Sequence, residues 1–311
     1  MRRRHGGYRT PVFVLDEVPH LEDPIMVVGL SGWVDAGMSG AQAIEVLAAQ
    51  SAVRVLARGD SDALVDFSHT RPQIEGLGSD RSVEFPRVEL SVGTATLAES
   101  ESQEKFASLP RDIVVLTGPE LSLRWESSVA NIVDTAKTLG VTTIISLAGM
   151  PAPVSHRRPL TVLSVRFDRG ADSRLPSEAV PARRPDYRGP TGMNAAILHA
   201  AGKTGIPALG LWAQVPLYLA GTSSVLGAAA LIPVLNRIAG TSFDDTALCA
   251  RAAFERVTID EQAGRDSELA AAIAAADIID DGGATALIAE IETYLDDSSS
   301  SDDDPLGSEE G

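Results

Sequence analysis

The segment Ser155-His156-Arg157-Arg158-Pro159 combines side chains that are suited to chemistry. A histidine followed by two arginines, in a loop bounded by prolines, is out of place in an apolar core. The arginines would lower the pKa of His156 and attract an anion. We therefore treat His156 as the candidate catalytic acid or base and Arg157 and Arg158 as candidate anion ligands. No catalytic partner for His156 can be identified in the sequence, so the alternative is that it is a lone histidine without catalytic function.

Three further loops place polar groups next to large aromatic side chains. They are residues 31–37 with Trp33 and Asp35, residues 117–127 with Glu120, Arg124 and Trp125, and residues 212–221 with Gln214 and Tyr218. In a ligand site, the carboxylates would orient the ligand and the aromatic rings would wall the pocket. Each loop also has a structural alternative: Asp35 as a helix cap, Glu120 with Arg124 as an i,i+4 surface pair, and the tryptophans as packing residues.

The elements that must hold these loops alternate between short apolar strands and helices. Near-continuous apolar runs begin at Val12, Ile25, Val53, Asp112, Thr142, Thr161 and Ala208. Such runs are typical of strands with both faces covered, and they predict an α/β fold with a largely parallel sheet and helices on both faces. In such sheets ligands bind beyond the carboxyl ends of the strands, where the candidate loops lie. Residues 71–94 lack helical periodicity and predict an antiparallel hairpin or insertion.

No standard cofactor motif or metal motif is present in the sequence. Gly29, Gly32, Gly37 and Gly40 follow the spacing of neither a dinucleotide fingerprint nor a phosphate-binding loop, and Ser31 lacks the second glycine of a nucleophile elbow. The glycines are better explained by close packing of the helix on the strand. The five histidines, at positions 5, 20, 69, 156 and 199, show no metal-ligand spacing. We therefore predict no cofactor and no metal.

Cysteine content and hydropathy predict a cytoplasmic protein outside the membrane. The only cysteine, Cys249, rules out an internal disulfide framework and fits a reducing compartment. The N-terminal arginines are not followed by the apolar run of a signal peptide. Residues 204–236 carry no charge, but three prolines and a polar turn interrupt them, so we expect a buried strand, a loop and a helix there.

The net charge of −17 is concentrated near the C-terminus. Residues 296–311 contain seven acidic residues and no basic one, and residues 243–295 contain twelve acidic residues and three arginines, so residues 1–242 are nearly neutral. We predict an α/β core domain over residues 1–242, a small helical subdomain over 243–295 and an acidic disordered tail over 296–311. The absence of a basic surface argues against a nucleic-acid-binding protein.

Six motifs occur in an order that resembles the PAC2 family, the proteasome assembly chaperone 2 type proteins. They are GWVDAG, RPQIEG, GPELSLRW, SHRRP, GPTGMNAAILHAA and LWAQVPLYLAG. The resemblance covers about residues 12–240, and the helical C-terminal part is similar to that of actinobacterial members. It implies a phosphorylase/hydrolase-like α/β core and a homo-oligomer. It also implies kinship with archaeal and eukaryotic proteins that assist proteasome assembly, whereas bacterial members lack an assigned activity.

The chain departs from the family pattern at three places. Where the family often has Pro-His-Thr-Arg-Pro, this chain keeps His156, Arg158 and Pro159 only. Where the family often has Val-Pro-His-Tyr, Leu217 replaces the histidine, which weakens a two-histidine catalytic scheme. Chaperone relatives often dock through a C-terminal hydrophobic-Tyr-X end, but Tyr294 is followed here by the acidic tail.

The leading hypothesis from the sequence is a non-enzymatic protein-assembly or interaction protein. Its expected partners are further copies of itself and a protein such as proteasome subunits, with neither nucleic acid nor membrane. The alternative is a small-molecule binding protein, hydrolase or transferase that uses a pocket at the carboxyl ends of the strands for an anionic or nucleoside-like ligand. The two hypotheses differ in whether the candidate residues converge on one pocket.

Overall fold

The computed structural model describes residues 11–95, 97, 111–166 and 188–280. The strands are β1 (Ile25–Ser31), β2 (Arg54–Arg58), β3 (Gln73–Glu75), β4 (Ser82–Glu84), β5 (Glu89–Ala95), β6 (Arg111–Pro119), β7 (Thr143–Ala152), β8 (Val162–Arg166) and β9 (Ala208–Pro216). The helices are α1 (Ser39–Gln50), α2 (Ser61–Leu64), α3 (Trp125–Thr138), α4 (Met193–Lys203), α5 (Val225–Ala239), α6 (Thr246–Ala263) and α7 (Ser267–Asp280). The predicted acidic tail, and residues 281–295 of the predicted subdomain, lie outside the described residues.

Seven strands form one sheet in the order β2-β5-β6-β1-β7-β9-β8. The four central strands, β6, β1, β7 and β9, run parallel to one another. On one side β5 pairs antiparallel with β6 and β2 pairs antiparallel with β5, and on the other side β8 pairs antiparallel with β9. The predicted α/β fold with its largely parallel core is confirmed. Because side chains alternate along a strand, Val27 of β1 faces one side of the sheet and Val28 faces the other.

Each face of the sheet has its own apolar core, which explains the continuous apolar runs in the sequence. On one face, α1 and α5 contribute residues such as Leu47 and Leu231; on the other, α3 and α4 contribute Ile132 and Ile197. The predicted helices on both faces are therefore confirmed. At an average of about 25 cal/mol per Å² of buried apolar surface, these two interfaces provide most of the driving force for folding.

The two sequence predictions outside the central strands have different outcomes. Residues 71–94 contain the predicted hairpin, because β3 pairs with β4 in a separate two-stranded sheet, and they also supply most of β5. The strand predicted at Val12 is wrong. Val12 and Phe13 are buried but do not join a sheet, and the Phe13 N–H donates to the Asn131 side chain at 2.9 Å.

The chain after β9 continues through a turn at Leu217–Leu219 into α5, α6 and α7. α6 packs on α5 with a face that contains Leu248, Ala252 and Ile259. The uncharged window at residues 204–236 forms β9, the turn and most of α5, as predicted. Among the described helices, none combines the length and the apolar composition needed to cross a membrane.

Candidate functional site

Asp35 lies in the loop between β1 and α1, and only 5% of its surface is exposed. Its carboxylate accepts hydrogen bonds from the backbone N–H groups of Gly40 at 2.7 Å and Ala41 at 3.0 Å, in the first turn of α1. The N–H of Gly149, in β7, donates to it at 3.1 Å. Burial raises the pKa of Asp35, and the three N–H donors oppose that rise. This geometry favours the capping role, in which Asp35 joins the start of α1 to β7.

Two glycines allow the backbone of this loop to lie directly against β7. A Cβ atom at Gly149 would lie 2.0 Å from the carbonyl oxygen of Ala36, and one at Gly40 would lie 2.3 Å from the carbonyl oxygen of Leu147. Both distances are well inside van der Waals contact, so no larger residue fits without movement of the backbone. Close packing therefore accounts for glycine at these positions without a phosphate ligand.

Glu120 follows β6 and caps a second helix. Its Oε1 atom accepts a hydrogen bond from the N–H of Met193, the first residue of α4, at 2.6 Å. Its own N–H donates to the carbonyl of Ser31 at 2.8 Å, which joins the loops after β1 and β6. Burial raises the pKa of Glu120, and the Met193 hydrogen bond opposes that rise. The carboxylate thus occupies the helix N-terminus, the position that a bound anion takes in phosphate sites.

The other candidates near these loops have mainly structural surroundings. Trp33 is 67% exposed and belongs to the surface. Trp125 is the first residue of α3 and packs, partly buried, against the core, while Arg124 precedes the helix with a left-handed φ of 57°. Because α3 begins at Trp125, Glu120 and Arg124 are not an i,i+4 pair on a helix. Gln214 is half-buried in β9.

His156 is fully buried in the loop after β7 and contacts Tyr218. The His156 backbone N–H donates to the Tyr218 hydroxyl oxygen at 2.9 Å, and the ring Nδ1 atom lies 2.7 Å from the same oxygen. The hydroxyl and Nδ1 share one hydrogen, which the hydroxyl donates in one tautomer of the imidazole and Nδ1 donates in the other. Burial lowers the pKa of His156 and raises that of Tyr218. At neutral pH the pair is uncharged.

The Nε2 atom of His156 faces α6. It lies 3.5 Å from Oδ1 of Asp260, at the outer limit of a hydrogen bond, and no other residue of the described ranges accepts from it or donates to it. Arg256, also in α6, donates from Nε to the carbonyl oxygen of His156 at 2.8 Å. The histidine is thus enclosed between Tyr218 and α6 and does not open onto a cleft among these contacts.

Arg157 connects the same loop to both C-terminal helices. Its Nε and Nη2 atoms donate to Oδ1 of Asp260 at 2.9 and 2.7 Å, and Nη1 donates to Oδ2 of Asp277, in α7, at 2.7 Å. The Ser155 hydroxyl and then Arg157 lower the pKa of Asp277. The guanidinium group of Arg157 is therefore engaged by two carboxylates of the same chain. Arg158, like Arg157, is exposed.

The hydrogen bonds thus place five of the ten candidates in two groups. Asp35 and Glu120 cap helices at the ends of β1 and β6, while His156, Arg157 and Tyr218 belong to a second group. We call this second group the junction cluster; its members are Ser155, His156, Arg157, Tyr218, Asp260 and Asp277. Within the described ranges, no three His, Cys, Asp or Glu side chains are arranged to hold a metal ion.

Sequence reasoning missed Asp260 and Asp277. They lie 103 and 120 residues after Arg157, so no local spacing connects them. The signal that would have found them is charge: an arginine-rich loop and an acidic helical region occur in one otherwise nearly neutral chain. Oppositely charged segments of this kind favour contact with each other.

Two cavities lie away from the ten candidate residues. A groove of about 510 Å³ runs between the start of α5 and α6, and a polar cavity of about 290 Å³ lies at the amino ends of β1, β6 and β7. None of the ten candidates lines either cavity.

The β3–β4 hairpin exposes several large apolar side chains. We call residues 71–87 the arm. Ile74 and Val83 pair across the two strands, with 69% and 56% of their surfaces exposed. Leu77 in the turn is 86% exposed, and Phe85 makes an edge-to-face contact with Phe67 at 5.4 Å between ring centres. Exposed apolar patches are typical of interaction surfaces in proteins.

Comparison with known proteins identifies relatives of this fold. The PAC2 family matches residues 29–263. A PAC2 family protein from Streptomyces avermitilis is 29% identical with a TM-score of 0.67, covering 81% of this chain and 100% of that chain. A Mycobacterium tuberculosis protein of unknown function is 22% identical with a TM-score of 0.75, covering 93% and 95%. The Mycobacterium tuberculosis proteasome-assembly chaperone homologue is 24% identical with a TM-score of 0.65, covering 80% and 99%. No curated protein matches.

The family match includes all six sequence motifs, which lie between residues 32 and 221. The family match begins in β1 and ends with α6, so it includes the central sheet, both helix caps and one helix of the junction cluster. On this ground the chain belongs to the PAC2 family.

Proposed function

We propose that this protein is a non-enzymatic interaction protein that self-associates and acts in the assembly of other proteins. The observation that carries the proposal is the exposed apolar surface of the arm. A relative of the same fold is named as a proteasome-assembly chaperone homologue, so proteasome subunits are the first partners to test. The internal hydrogen bonds of Asp35, Glu120 and Arg157 give further support, because they leave these side chains to structural contacts.

The arm needs a partner for physical reasons. A two-stranded hairpin alone is marginally stable in water, and its usual remedy is to pack an apolar face against another surface. Every described residue of β3 is exposed, and Ile74 and Leu77 remain largely in contact with solvent. Covering these side chains would remove apolar surface from water and stabilise the hairpin.

A second copy of this chain is the occupant that the charges of the arm favour. The arm contains three arginines and three acidic residues, at positions 71, 81 and 87 and at positions 75, 80 and 84. It is therefore neutral in a chain whose net charge is −17. Two neutral arms of mixed sign can approach each other without repulsion, and residues of opposite charge can pair across a symmetric contact.

Light scattering coupled to size-exclusion chromatography tests the self-association. The wild type should be an oligomer, and the variant with both Ile74→Asp and Leu77→Asp should have a lower mass and unchanged circular dichroism, since both side chains are exposed. Ile278→Asp with Ile279→Asp is the matched control, because it places the same two charges on exposed isoleucines of α7. An arm variant with the same mass as the wild type would show that the arm is not an interface.

Native mass spectrometry with purified proteasome subunits tests the assembly role. A complex between this protein and an α or β subunit, formed before the complete particle and released from it, is the expected result. A protein that binds neither subunit and leaves the rate of particle formation unchanged would contradict the assembly role while leaving self-association intact.

The small-molecule alternative required the candidate residues to converge on one pocket. In the described part of the chain, Asp35 and Glu120 are bonded to helix N-termini, while His156 and Arg157 are bonded within the junction cluster, and this arrangement favours the interaction protein. A thermal-shift screen with phosphate, nucleosides, nucleotides and small carboxylates tests the alternative. A ligand at 100 times its Kd stabilises by about 2.7 kcal/mol. A ligand whose stabilisation is lost in His156→Ala would reverse our choice.

A further inference from the structure

Helix α6 has apolar residues on two opposite faces. The inner face, with Leu248, Ala252 and Ile259, packs on α5. Ala250, Phe254 and Val257 follow the spacing i, i+4 and i+7, which places them together on the opposite face. We call these three residues the outer stripe. A surface helix normally has one apolar stripe that faces the core, so a second stripe needs a separate explanation.

The outer stripe is exposed and borders a formed groove. Phe254 is 74% exposed and Val257 is 56% exposed. The groove of about 510 Å³ beside them is lined by Ser223, Val225, Ala250, Arg251, Phe254 and Glu255. Glu255 holds the two walls together, because its carboxylate accepts a hydrogen bond from the Val225 N–H, at the start of α5, at 2.8 Å. The surface is therefore shaped before any partner binds.

Opposite charges stand at the two ends of the outer stripe. Arg251 precedes Phe254 by three residues, Glu261 follows Val257 by four, and both charged residues are exposed. When two copies of α6 are placed antiparallel, the Arg251 end of one lies beside the Glu261 end of the other. The same arrangement places Phe254 of each copy against Val257 of the other. The stripe is thus complementary to itself in charge and in the positions of its apolar residues, as a two-fold contact requires.

We propose that the outer stripe is a self-association surface, covered by α6 of a second copy in antiparallel orientation. This surface is distinct from the arm, so each copy has two different contacts with other copies. Two distinct self-contacts build an assembly larger than either contact builds alone. The inference extends the proposed self-association but does not depend on the arm.

Its test uses a background in which the arm is disabled by Ile74→Asp with Leu77→Asp. In sedimentation velocity, this background should still form a dimer in a concentration-dependent equilibrium. Arg251→Glu alone or Glu261→Arg alone should weaken the dimer about tenfold, since each change replaces two symmetric attractions by two repulsions. Arg265→Glu, with the same change of charge just beyond α6, is the matched control and should leave the dimer unchanged.

An equimolar mixture of the two charge variants provides the decisive comparison. In the mixed dimer every introduced charge faces its opposite, so affinity should return to that of the background. Recovery in the mixture would establish the antiparallel pairing, and weakening without recovery would refute it. Phe254→Ser should weaken the dimer about a hundredfold, as expected for a central aromatic contact, without loss of helix content.

Other results separate this inference from the proposed function. A background protein that stays monomeric at every concentration, while the wild type is oligomeric, would overturn the outer stripe and leave the arm supported. A monomeric wild type would overturn both. Amide protection at Phe254 that does not change with concentration would mean that no second copy covers the stripe, and the inference would be wrong.

Discussion

Replacing Arg157 with methionine should loosen α6 and α7 from the core without unfolding the sheet. Arg157 is the residue of the junction cluster that contacts both helices, through Asp260 and Asp277. Methionine preserves an unbranched apolar stem and removes the charge and all the donors. The expected effect is therefore local, because the apolar packing of α5 on the sheet does not involve Arg157.

The size of the effect follows from the exposure of the three side chains. The exposed fractions are 49% for Arg157, 44% for Asp260 and 29% for Asp277, so solvent screens both ion pairs. Pairs of this exposure contribute about 0.2 to 1 kcal/mol each. Their shared arginine and the half-buried Asp277 place the total near the upper end, at about 1–2 kcal/mol. That energy corresponds to a change of about 5–30-fold in a local opening equilibrium.

Hydrogen exchange with mass spectrometry measures this opening directly. Peptides from α6 and α7 should exchange about 5–30-fold faster in Arg157→Met, while peptides from β1, β6 and β7 should be unchanged. Arg54→Met, at an exposed position of β2, is the control and should resemble the wild type. Unchanged exchange in α6 and α7 would refute the role of Arg157, and uniform acceleration across the sheet would refute its local character.

Three further predictions concern buried groups around the candidate residues. Burial lowers the pKa of His156 below the ordinary 6.5, so the stability that its neutral form contributes is fully present above pH 6.5 and is lost as the pH falls toward the folded-state pKa. Urea unfolding at several pH values should show this loss of stability, and His156→Gln should abolish the pH dependence. Asp35→Ala should lower the free energy of unfolding by about 2–3 kcal/mol, because three N–H donors, two of them buried, lose their acceptor. Asp35→Asn should cost less, and equal costs in urea unfolding would contradict the cap. Gly149→Ala should cost about 3 kcal/mol through the contact with the Ala36 carbonyl, and Gly221→Ala, where nothing lies within 4 Å, should be nearly neutral in thermal unfolding.

The sequence predicts the central strands correctly because strands buried on both faces consist of consecutive apolar residues. β1, β7 and β9 are apolar at consecutive positions, and this pattern requires helices on both sides of the sheet. The run at Val12 has the same composition but lies in a buried segment outside the sheet. Apolar composition reports burial, whereas the backbone hydrogen bonds that define a strand depend on neighbours distant in sequence.

The candidate site is less predictable for the same reason. Asp35 could be assigned a capping role from its position before α1, since the cap and its helix are adjacent in the chain. Glu120 caps α4, which begins 73 residues later, and the i,i+4 pattern with Arg124 pointed to a contact that the backbone does not support. The exposure of the arm and the outer stripe also depends on tertiary packing and cannot be obtained from periodicity alone.

The predicted boundary at residue 242 separates a nearly neutral segment from an acidic one, but the described helices beyond it share an apolar core with the sheet domain. The inner face of α6, with Leu248, Ala252 and Ile259, and Ile273 of α7 belong to the same apolar cluster as α5 and the sheet. The charged contacts of Arg157 then fix the outer ends of both helices. A helical unit without a core of its own cannot offset the conformational entropy of about 1–2 kcal/mol per ordered residue. A fragment of residues 243–280 should therefore show little helix by circular dichroism, and a cooperatively folded fragment would show that the appendage is an independent domain.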